Sequence, residues 1–306
     1  MSFSTNIKNE ITNLDSTLTE SISELSAYVN INAEINDDSF ILMTENLSVA
    51  RRIFKIIKKL YHIDVSIDTK QNNINKKTYY TNIIVKEKAS FILKDLSIIN
   101  NKGKRIYIPN NYIIDTVEEK KAYLRGCFLA CGSINDPKTS RYHMELLIDN
   151  KQLSVFVNNL LNEFNLNSKI LKREKKYMIY IKETEKISDF IKILNAYNSL
   201  FYYEDIRIYR DHKNMTNRLN NCEQANIDKV VMASNKQIEM IQILKKKKDI
   251  ELLDDKIKKL IYYREKYPDS SLEELANIIS LETGKKITKS GINHRFRKIK
   301  EIINEE

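Results

Sequence analysis

The chain has 306 residues, of which 42% are hydrophobic and 30% are charged, and this composition excludes a disordered or fibrous protein. Its length leaves room for two domains with a sizeable core. The formal net charge of +10 favours a polyanionic partner, while three cysteines are too few for a disulfide framework and suit a reducing cytoplasm. No apolar run of about 18 residues and no signal-peptide pattern occurs, so we expect no membrane association.

The first predicted element is an amphipathic helix over residues 3–16, because apolar side chains recur there at helical spacing. The stripe consists of Phe3, Ile7, Ile11 and Leu14. A duplicated region follows this helix, and we place its two repeats at about residues 18–97 and 118–211. An irregular connector, residues 97–117, joins the two repeats and includes a turn-forming stretch at residues 100–105.

The stretch that organises the duplicated region is residues 118–136, which reads as a helix that is apolar nearly all round. Such a helix must be buried against another element. Small residues recur along it at Ala122, Gly126 and Ala130, and a spacing of four places them on one stripe. Since glycine costs about 1 kcal/mol relative to alanine inside a helix, Gly126 indicates close packing of two helix backbones.

The partner of that helix is predicted from an internal repeat. Residues 25–37 line up with residues 124–136: Leu25 matches Leu124, and Ile-Asn-Asp ends both stretches. Ala27 then falls opposite Gly126, so we expect the two helices to cross closely at these positions. A repeat period near 100 residues is too long for a solenoid and indicates a duplicated α/β unit.

The elements after each matched helix also correspond. The first copy predicts strands at 40–43, 61–67 and 81–85 with a helix at 47–60. The second copy predicts strands at 143–148, 164–170 and 178–181 with a helix at 152–164. A closing helix follows the last strand of each copy.

Two copies of an αββαββα unit, joined through paired small-residue helices, resemble the monomeric LAGLIDADG homing-endonuclease fold. In that family the eighth motif position is an aspartate that binds the catalytic metal. The matching positions here are Asn32 and Cys131, and neither is a carboxylate. The resemblance therefore implies a nuclease scaffold without its metal-binding acids, since magnesium is bound mainly through carboxylates and water. Asp37 and Asp136 are the nearby carboxylates, and we interpret them as turn residues.

Residues at the end of the second repeat and beyond it predict a change of architecture. Alternating isoleucines in Tyr202–Asn214 suggest a last strand, and Met215–Ala225 reads as a short linker helix. We therefore predict a repeat domain over 1–211, a linker over 212–225 and an all-α domain over 226–306. In the all-α domain, an aspartate at 254 or 255 caps a helix that stops before Pro268.

The C-terminal residues predict a helix-turn-helix at about 270–303. Ser271 and Glu274 form a capping box before a short helix, and a turn at residues 281–286 leads to a second helix. Ile292, Phe296 and Ile299 would face inward, which leaves polar and basic residues for a DNA groove and its phosphates. The predicted DNA-binding residues are Lys289, Ser290, Asn293, His294, Arg295, Arg297 and Lys298.

Four stretches together are similar to the WhiA family, and in order they span essentially the whole chain. They are residues 2–10, 121–137, 220–226 and 287–298. The resemblance implies a degenerate LAGLIDADG domain followed by a helix-turn-helix, and a DNA-binding transcription regulator that is not an enzyme. It also implies a role in cell division and chromosome segregation, with sporulation in relatives that sporulate.

The expected partner is double-stranded DNA, together with a partner transcription factor or sigma factor, and we expect a cytoplasmic, nucleoid-associated monomer without cofactor or metal. Cys127 and Cys131, four apart on one helix, could touch a common metal, but no further ligand stands beside them and we interpret them as packing residues. Two other functions remain open. One is an active endonuclease, which Asn32 and Cys131 disfavour. The other is a nucleoid or RNA-binding protein that uses the repeat domain without reading sequence.

Overall fold

The computed structural model describes residues 2–71, 79–139 and 141–304, and the chain divides into two compact units, Met1–Arg210 and Asp211–Glu306. The first unit mixes helices with two antiparallel sheets, and the second unit is built from helices. The predicted α+β class is therefore confirmed. Among the described residues, no helix is both long enough and apolar enough to span a bilayer.

The first unit contains the predicted duplication. It begins with the helix α1 (Phe3–Ile11). The first repeat is α2 (Leu18–Asn32), β1 (Ala33–Ile35), β2 (Phe40–Thr44), α3 (Leu47–Tyr61), β3 (Ser66–Gln71), β4 (Tyr79–Val85) and α4 (Ala89–Asp95). The second repeat is α5 (Val117–Cys131), β5 (Gly132–Ile134), β6 (Met144–Ile148), α6 (Lys151–Glu163), β7 (Lys169–Arg173), β8 (Lys176–Ile181) and α7 (Thr184–Ile193). Both repeats have the order αββαββα, and their sheets have matching strand orders, β1-β2-β4-β3 and β5-β6-β8-β7.

The helices α2 and α5, which begin the two repeats, start and end in the same way. Thr17 with Glu20, and Thr116 with Glu119, form capping boxes that satisfy backbone N–H groups in the first turns of α2 and α5. Each helix ends at a residue with extended backbone, so the chain passes directly into β1 or β5. The sequence repeat is thus a repeat of structure, including the points at which helix changes to strand.

The helices α2 and α5 pack closely at the glycine that the small-residue stripe singles out. A Cβ atom added at Gly126 would lie 2.2 Å from the carbonyl oxygen of Glu24 and 2.8 Å from the Cβ atom of Ala27. Real Cβ atoms essentially never come this close to other atoms. The predicted crossing near Ala27 and Gly126 is therefore confirmed, and the backbone of α2 occupies the space that a side chain at position 126 would need.

Two strand predictions begin too early. Residues 61–67 and 164–170 were predicted as strands, yet Tyr61 still belongs to α3, and β3 and β7 begin at Ser66 and Lys169. The backbone takes left-handed φ values at His62, Asn165 and Asn167, which ends the helices and delays strand entry. Apolar residues in these turns pack on the core. The turns therefore have the apolar sequence pattern that is also typical of a strand.

The predicted last strand at Tyr202–Asn214 is wrong, and so is the separate short helix at Met215–Ala225. Both segments belong to one helix, α8 (Tyr197–Lys247). Its start is fixed by the Glu10 carboxylate, which accepts hydrogen bonds from the backbone N–H groups of Asn198 (2.7 Å) and Ser199 (2.9 Å). A helix cap that is so distant in sequence leaves no local signal, and the alternation of Ile206 and Ile208 is coincidental, since Ile208 is exposed on the helix.

The second unit packs the C-terminal part of α8 with α9 (Asp255–Lys266), α10 (Leu272–Thr283) and α11 (Lys289–Asn304). Asp254 caps α9 by accepting a hydrogen bond from the Lys256 N–H, which confirms the predicted cap. The core of this unit is aliphatic and aromatic. It includes Ile241, Leu244, Leu260, Leu275, Ile292, Phe296 and Ile299.

Candidate nucleic-acid interface

The helix α10 begins at the predicted capping box. The Ser271 hydroxyl accepts from the Glu274 N–H (3.2 Å), and the Ser271 N–H donates to the Glu274 carboxylate (2.7 Å). The hydrogen bond from the Ser271 backbone N–H, with a smaller contribution from the Ser271 side chain, lowers the pKa of Glu274, so its carboxylate remains ionised near neutrality. The negative charge at the start of α10 also complements the helix dipole.

The turn between α10 and α11 is fixed by a glycine and two hydroxyls. Gly284 ends α10 with a left-handed φ of 68°, a conformation that glycine adopts without steric cost. The Ser280 hydroxyl accepts from the Ile287 N–H (2.9 Å), and the Thr288 hydroxyl accepts from the Gly291 N–H (3.2 Å). These contacts set the direction in which α11 leaves the turn.

The helix α11 presents six of the seven predicted contact residues to solvent. Ile292, Phe296 and Ile299 are buried against the unit's core, as predicted. The exposed set is Lys289, Ser290, Asn293, His294, Arg297 and Lys298. Within the part of the chain that the structure describes, these six side chains form no hydrogen bond and no ion pair. Arg295 is half-buried, and its guanidinium donates to the Lys256 carbonyl at 3.4 Å, so it differs from the other six.

A buried arginine that sequence reasoning missed holds this surface in place. Arg264 on α9 is 1% exposed, and its guanidinium donates to the Ser270 carbonyl (2.6 Å) just before α10. The same guanidinium lies over the Phe296 ring, 6.0 Å from the ring centroid. Burial lowers the pKa of Arg264, although the group stays charged at neutral pH. Its only sequence signal is a basic residue next to the tyrosines of an amphipathic helix.

The two positions expected to match metal-binding acids hold neutral groups. Asn32, at the end of α2, donates to the Met43 carbonyl (2.6 Å) and to the Tyr28 hydroxyl (3.1 Å). Cys131, at the end of α5, has its thiol 3.4 Å from the Cys127 carbonyl, and burial raises the pKa of this thiol to about 12. An amide engaged with the protein and a protonated thiol do not fit a magnesium ion, which prefers carboxylates and water.

A lysine from α1 also faces this region, and sequence reasoning missed it. The Lys8 ammonium interacts electrostatically with Cys131, and burial lowers the pKa of Lys8. A cation here opposes the binding of a divalent metal ion. Asp136 lies in a turn, as predicted, and accepts from the Lys138 N–H at 2.9 Å. Across residues 2–71, 79–139 and 141–304, no group of three or more metal-ligating side chains is gathered.

Three family models match the chain in order. They are the WhiA N-terminal LAGLIDADG-like domain over residues 19–99, the WhiA LAGLIDADG-like domain over 120–213 and the WhiA C-terminal HTH domain over 216–303. A protein of Bacillus mycoides (strain KBAB4) is 40% identical over 306 residues, which cover 99% of this chain and 96% of that protein. The chain belongs to the WhiA family.

Further WhiA relatives agree along the full length. The Bacillus pumilus (strain SAFR-032) protein is 39% identical over 312 residues, covering 100% of this chain and 97% of that protein. Both Bacillus relatives are named probable cell division protein WhiA. The full-length WhiA of Thermotoga maritima has the same fold, with a TM-score of 0.60 and 22% identity over 99% of this chain and 98% of that one.

Proposed function

We propose that this chain is a DNA-binding transcription regulator that reads duplex sequence with α11 and does not cut DNA. The observation that carries the proposal is the exposed polar and basic face of α11, held on a short helix and turn. Between Lys285 and Lys300 the chain has seven basic residues and no acidic one. In this division of roles, the repeat domain (1–211) is a scaffold and the helical domain (226–306) reads bases.

The chemistry of α11 suits two kinds of DNA contact. Asn293, His294 and Arg297 can hydrogen-bond to base edges in the major groove, together with the Ser290 hydroxyl. Lys289 and Lys298 are point charges that suit phosphates. The backbone N–H groups in the first turn of α11 add a favourable site for a phosphate. Arg295, which is tied to the Lys256 carbonyl, would reach only a flanking phosphate.

The cellular role that follows from this proposal is control of genes for cell division. Support comes from the Bacillus relatives, which are named probable cell division proteins. We extend the role to chromosome segregation, and to a cytoplasmic monomer that acts at the nucleoid with a partner transcription factor or sigma factor. Genome-wide occupancy of the protein would test this extension, because a regulator of this kind occupies discrete promoters rather than the chromosome uniformly.

Alanine at Asn293 or Arg297 is expected to weaken binding to a selected duplex by about 1–3 kcal/mol and to relax preference at particular base pairs. Lys298→Ala is expected to weaken binding to every sequence and to lower the salt slope by about one, because one phosphate contact is lost. The measurement is affinity for a selected duplex and for a random duplex across a salt series.

Lys259→Ala is the matched control, since Lys259 is an exposed lysine of the same domain on α9 and should leave both affinities unchanged. If Asn293→Ala and Arg297→Ala weaken both duplexes equally, α11 only holds phosphate. Sequence reading would then have to come from elsewhere.

A second candidate function, nucleic-acid binding without sequence reading, is favoured by the sheet of the second repeat. His143 stacks on Tyr180 at 6.1 Å between ring centroids, and the Lys182 ammonium lies 5.2 Å from the same ring. Arg141 and Arg173 line the same concave surface. Basic side chains around an aromatic ring suit a nucleic-acid strand. Under this alternative, Arg173→Ala with Lys182→Ala would weaken binding more than Asn293→Ala.

The chain is expected to leave DNA intact in the presence of magnesium, because Asn32 and Cys131 cannot supply the carboxylates that a phosphodiester cut needs. The measurement is incubation of the full chain with magnesium and a library of plasmid sites, followed by mapping of breaks. Metal-dependent double-strand breaks that disappear in Asp37→Ala or Asp136→Ala would contradict this prediction.

A further inference from the structure

The first unit contains a cavity of about 910 Å³, within the size range of small-molecule sites. Its walls come from α1, the end of β2, the start of α3, the paired strands β3 and β4, and the end of α5. The lining includes one cationic side chain, Lys8, and one anionic side chain, Glu45. It also includes several hydroxyl and amide side chains and the largely apolar Met43, Leu47 and Tyr79. No residue of α11 contributes, so this cavity is separate from the proposed DNA-reading surface.

The wall of the cavity carries a cation without an ionic partner. Among the residues that the structure describes, no carboxylate lies within 4.0 Å of the Lys8 ammonium, and no side-chain hydrogen bond engages it. Its close neighbours are the Phe128 ring, 5.6 Å from ring centroid to ammonium, and the protonated Cys131 thiol. A half-buried ammonium in this setting is stabilised by an anion that enters the cavity.

The carboxylate of Glu45 does not fill that role. It accepts a hydrogen bond from the Tyr80 hydroxyl, and this bond raises the pKa of Tyr80. Glu45 contributes to the electrostatics at Lys8 without forming an ion pair with it. The Glu45 carboxylate is therefore engaged by Tyr80, and the Lys8 ammonium remains available to a ligand.

Two helix N-termini add positive potential to the same cavity. The N-cap Ser2 with Ser4 and Thr5 of α1, and Leu47 with Ser48 of α3, line the cavity. The Thr5 N–H is capped by the Ser2 hydroxyl and the Ser48 N–H by the Asn46 side chain, so the two termini act on a ligand through their dipoles. Helix N-termini favour negative charge, and phosphate groups in particular. A lysine ammonium together with two such termini matches the oxygens of a phosphate better than it matches a neutral molecule.

The rest of the cavity suits a flat ring. Met43, Leu47 and Tyr79 are 44%, 57% and 57% exposed, which is high for large apolar side chains that line a concave surface. The nearby Thr69 hydroxyl can hydrogen-bond to a polar ring edge or a sugar. A ligand with an anionic end and a planar, partly polar body would use both parts of the cavity.

We propose that this cavity binds a nucleoside monophosphate, with the phosphate held by Lys8 in the positive potential of the α1 and α3 N-termini and the base packed against Met43, Leu47 and Tyr79. This site is additional to the proposed DNA surface, because it lies wholly in the first unit. The nucleotide would be a small-molecule ligand of the chain. The helix-turn-helix does not need this ligand in order to contact DNA.

The test is calorimetric titration of the full chain with the four ribonucleoside 5′-monophosphates, and separately with inorganic phosphate and with adenosine. At least one monophosphate is expected to bind at micromolar to low-millimolar concentration, on the order of 10-fold or more tighter than either fragment. Lys8→Met is expected to weaken that binding at least about 10-fold, since it removes the charge but keeps the length of the side chain. Tyr79→Ala, a change at an exposed position, is expected to weaken it as well.

Lys58→Met is the matched control, because the Lys58 ammonium also lies over an aromatic ring, Phe54 at 5.4 Å, but outside the cavity. Melting temperatures of all variants exclude loss of folding as the cause. The proposal is overturned if no monophosphate binds the unaltered chain, if inorganic phosphate binds as tightly as the nucleotides, or if Lys8→Met and Lys58→Met behave alike. It also fails if Lys8→Met lowers duplex affinity while nucleotides remain unbound, since the cavity would then hold a DNA phosphate.

Discussion

Replacing Glu24 by alanine is expected to lower the free energy of unfolding of the repeat domain by about 3–5 kcal/mol, the cost of breaking a buried ion pair. The Glu24 carboxylate is fully buried and accepts from the Arg52 guanidinium at 2.6 and 2.9 Å. The Arg125 guanidinium, 2% exposed, donates to the same carboxylate at 3.4 Å. Without Glu24, two guanidinium groups would stay buried with too little negative charge to balance them.

The measurement is chemical or thermal unfolding of the variant beside Glu118→Ala. Glu118 pairs with Lys121 at 2.7 Å on the exposed face of α5, and a surface pair contributes at most about 1 kcal/mol. The comparison separates burial from the mere presence of an ion pair. Equal effects of the two substitutions would show that the Glu24 site is hydrated in solution, contrary to the burial described above.

Replacing Gly126 by leucine is expected to destabilise the repeat domain by about 3 kcal/mol, at the upper end of the usual cost of overpacking. The first atom of any new side chain would already collide with the Glu24 carbonyl oxygen. Since that oxygen belongs to a helix backbone, the collision is relieved only by moving α2 away from α5. The shift in the midpoint of unfolding measures this cost.

Gly291→Ala supplies the contrast. A Cβ atom there would have its nearest neighbour, the Thr288 hydroxyl oxygen, at 3.6 Å, which is ordinary van der Waals contact. Alanine at this helical position is expected to be neutral or to stabilise the second unit by less than about 1 kcal/mol. An unchanged melting temperature in Gly126→Leu would mean that α2 and α5 do not meet at this point.

Local patterns predicted most of the architecture. The repeat of Leu25–Asp37 in Leu124–Asp136, the stripe around Gly126 and the capping box at Ser271 each correspond to an observed element or contact. These signals succeed because the residues that form them are close together in the chain. The inward positions of α11 were predictable for the same reason, since helical spacing determines which side chains share a face.

The features that were missed depend on residues far apart in the chain. Glu10 caps α8 across almost the full length of the first unit, and Lys8 approaches Cys131 from a different helix. The buried cluster of Glu24, Arg52 and Arg125 joins three helices. Charged residues at inward positions of these helices were the available signal for that cluster, but only the folded chain shows which charges neutralise one another.

The position of Lys8 determines what a carboxylate at position 131 would contact. An aspartate introduced in place of Cys131 would meet an ammonium group already in its neighbourhood, and an ion pair would form where a metal ion would need an open ligand. Such a substitution would therefore strengthen the contact between α1 and α5 instead of creating a metal site.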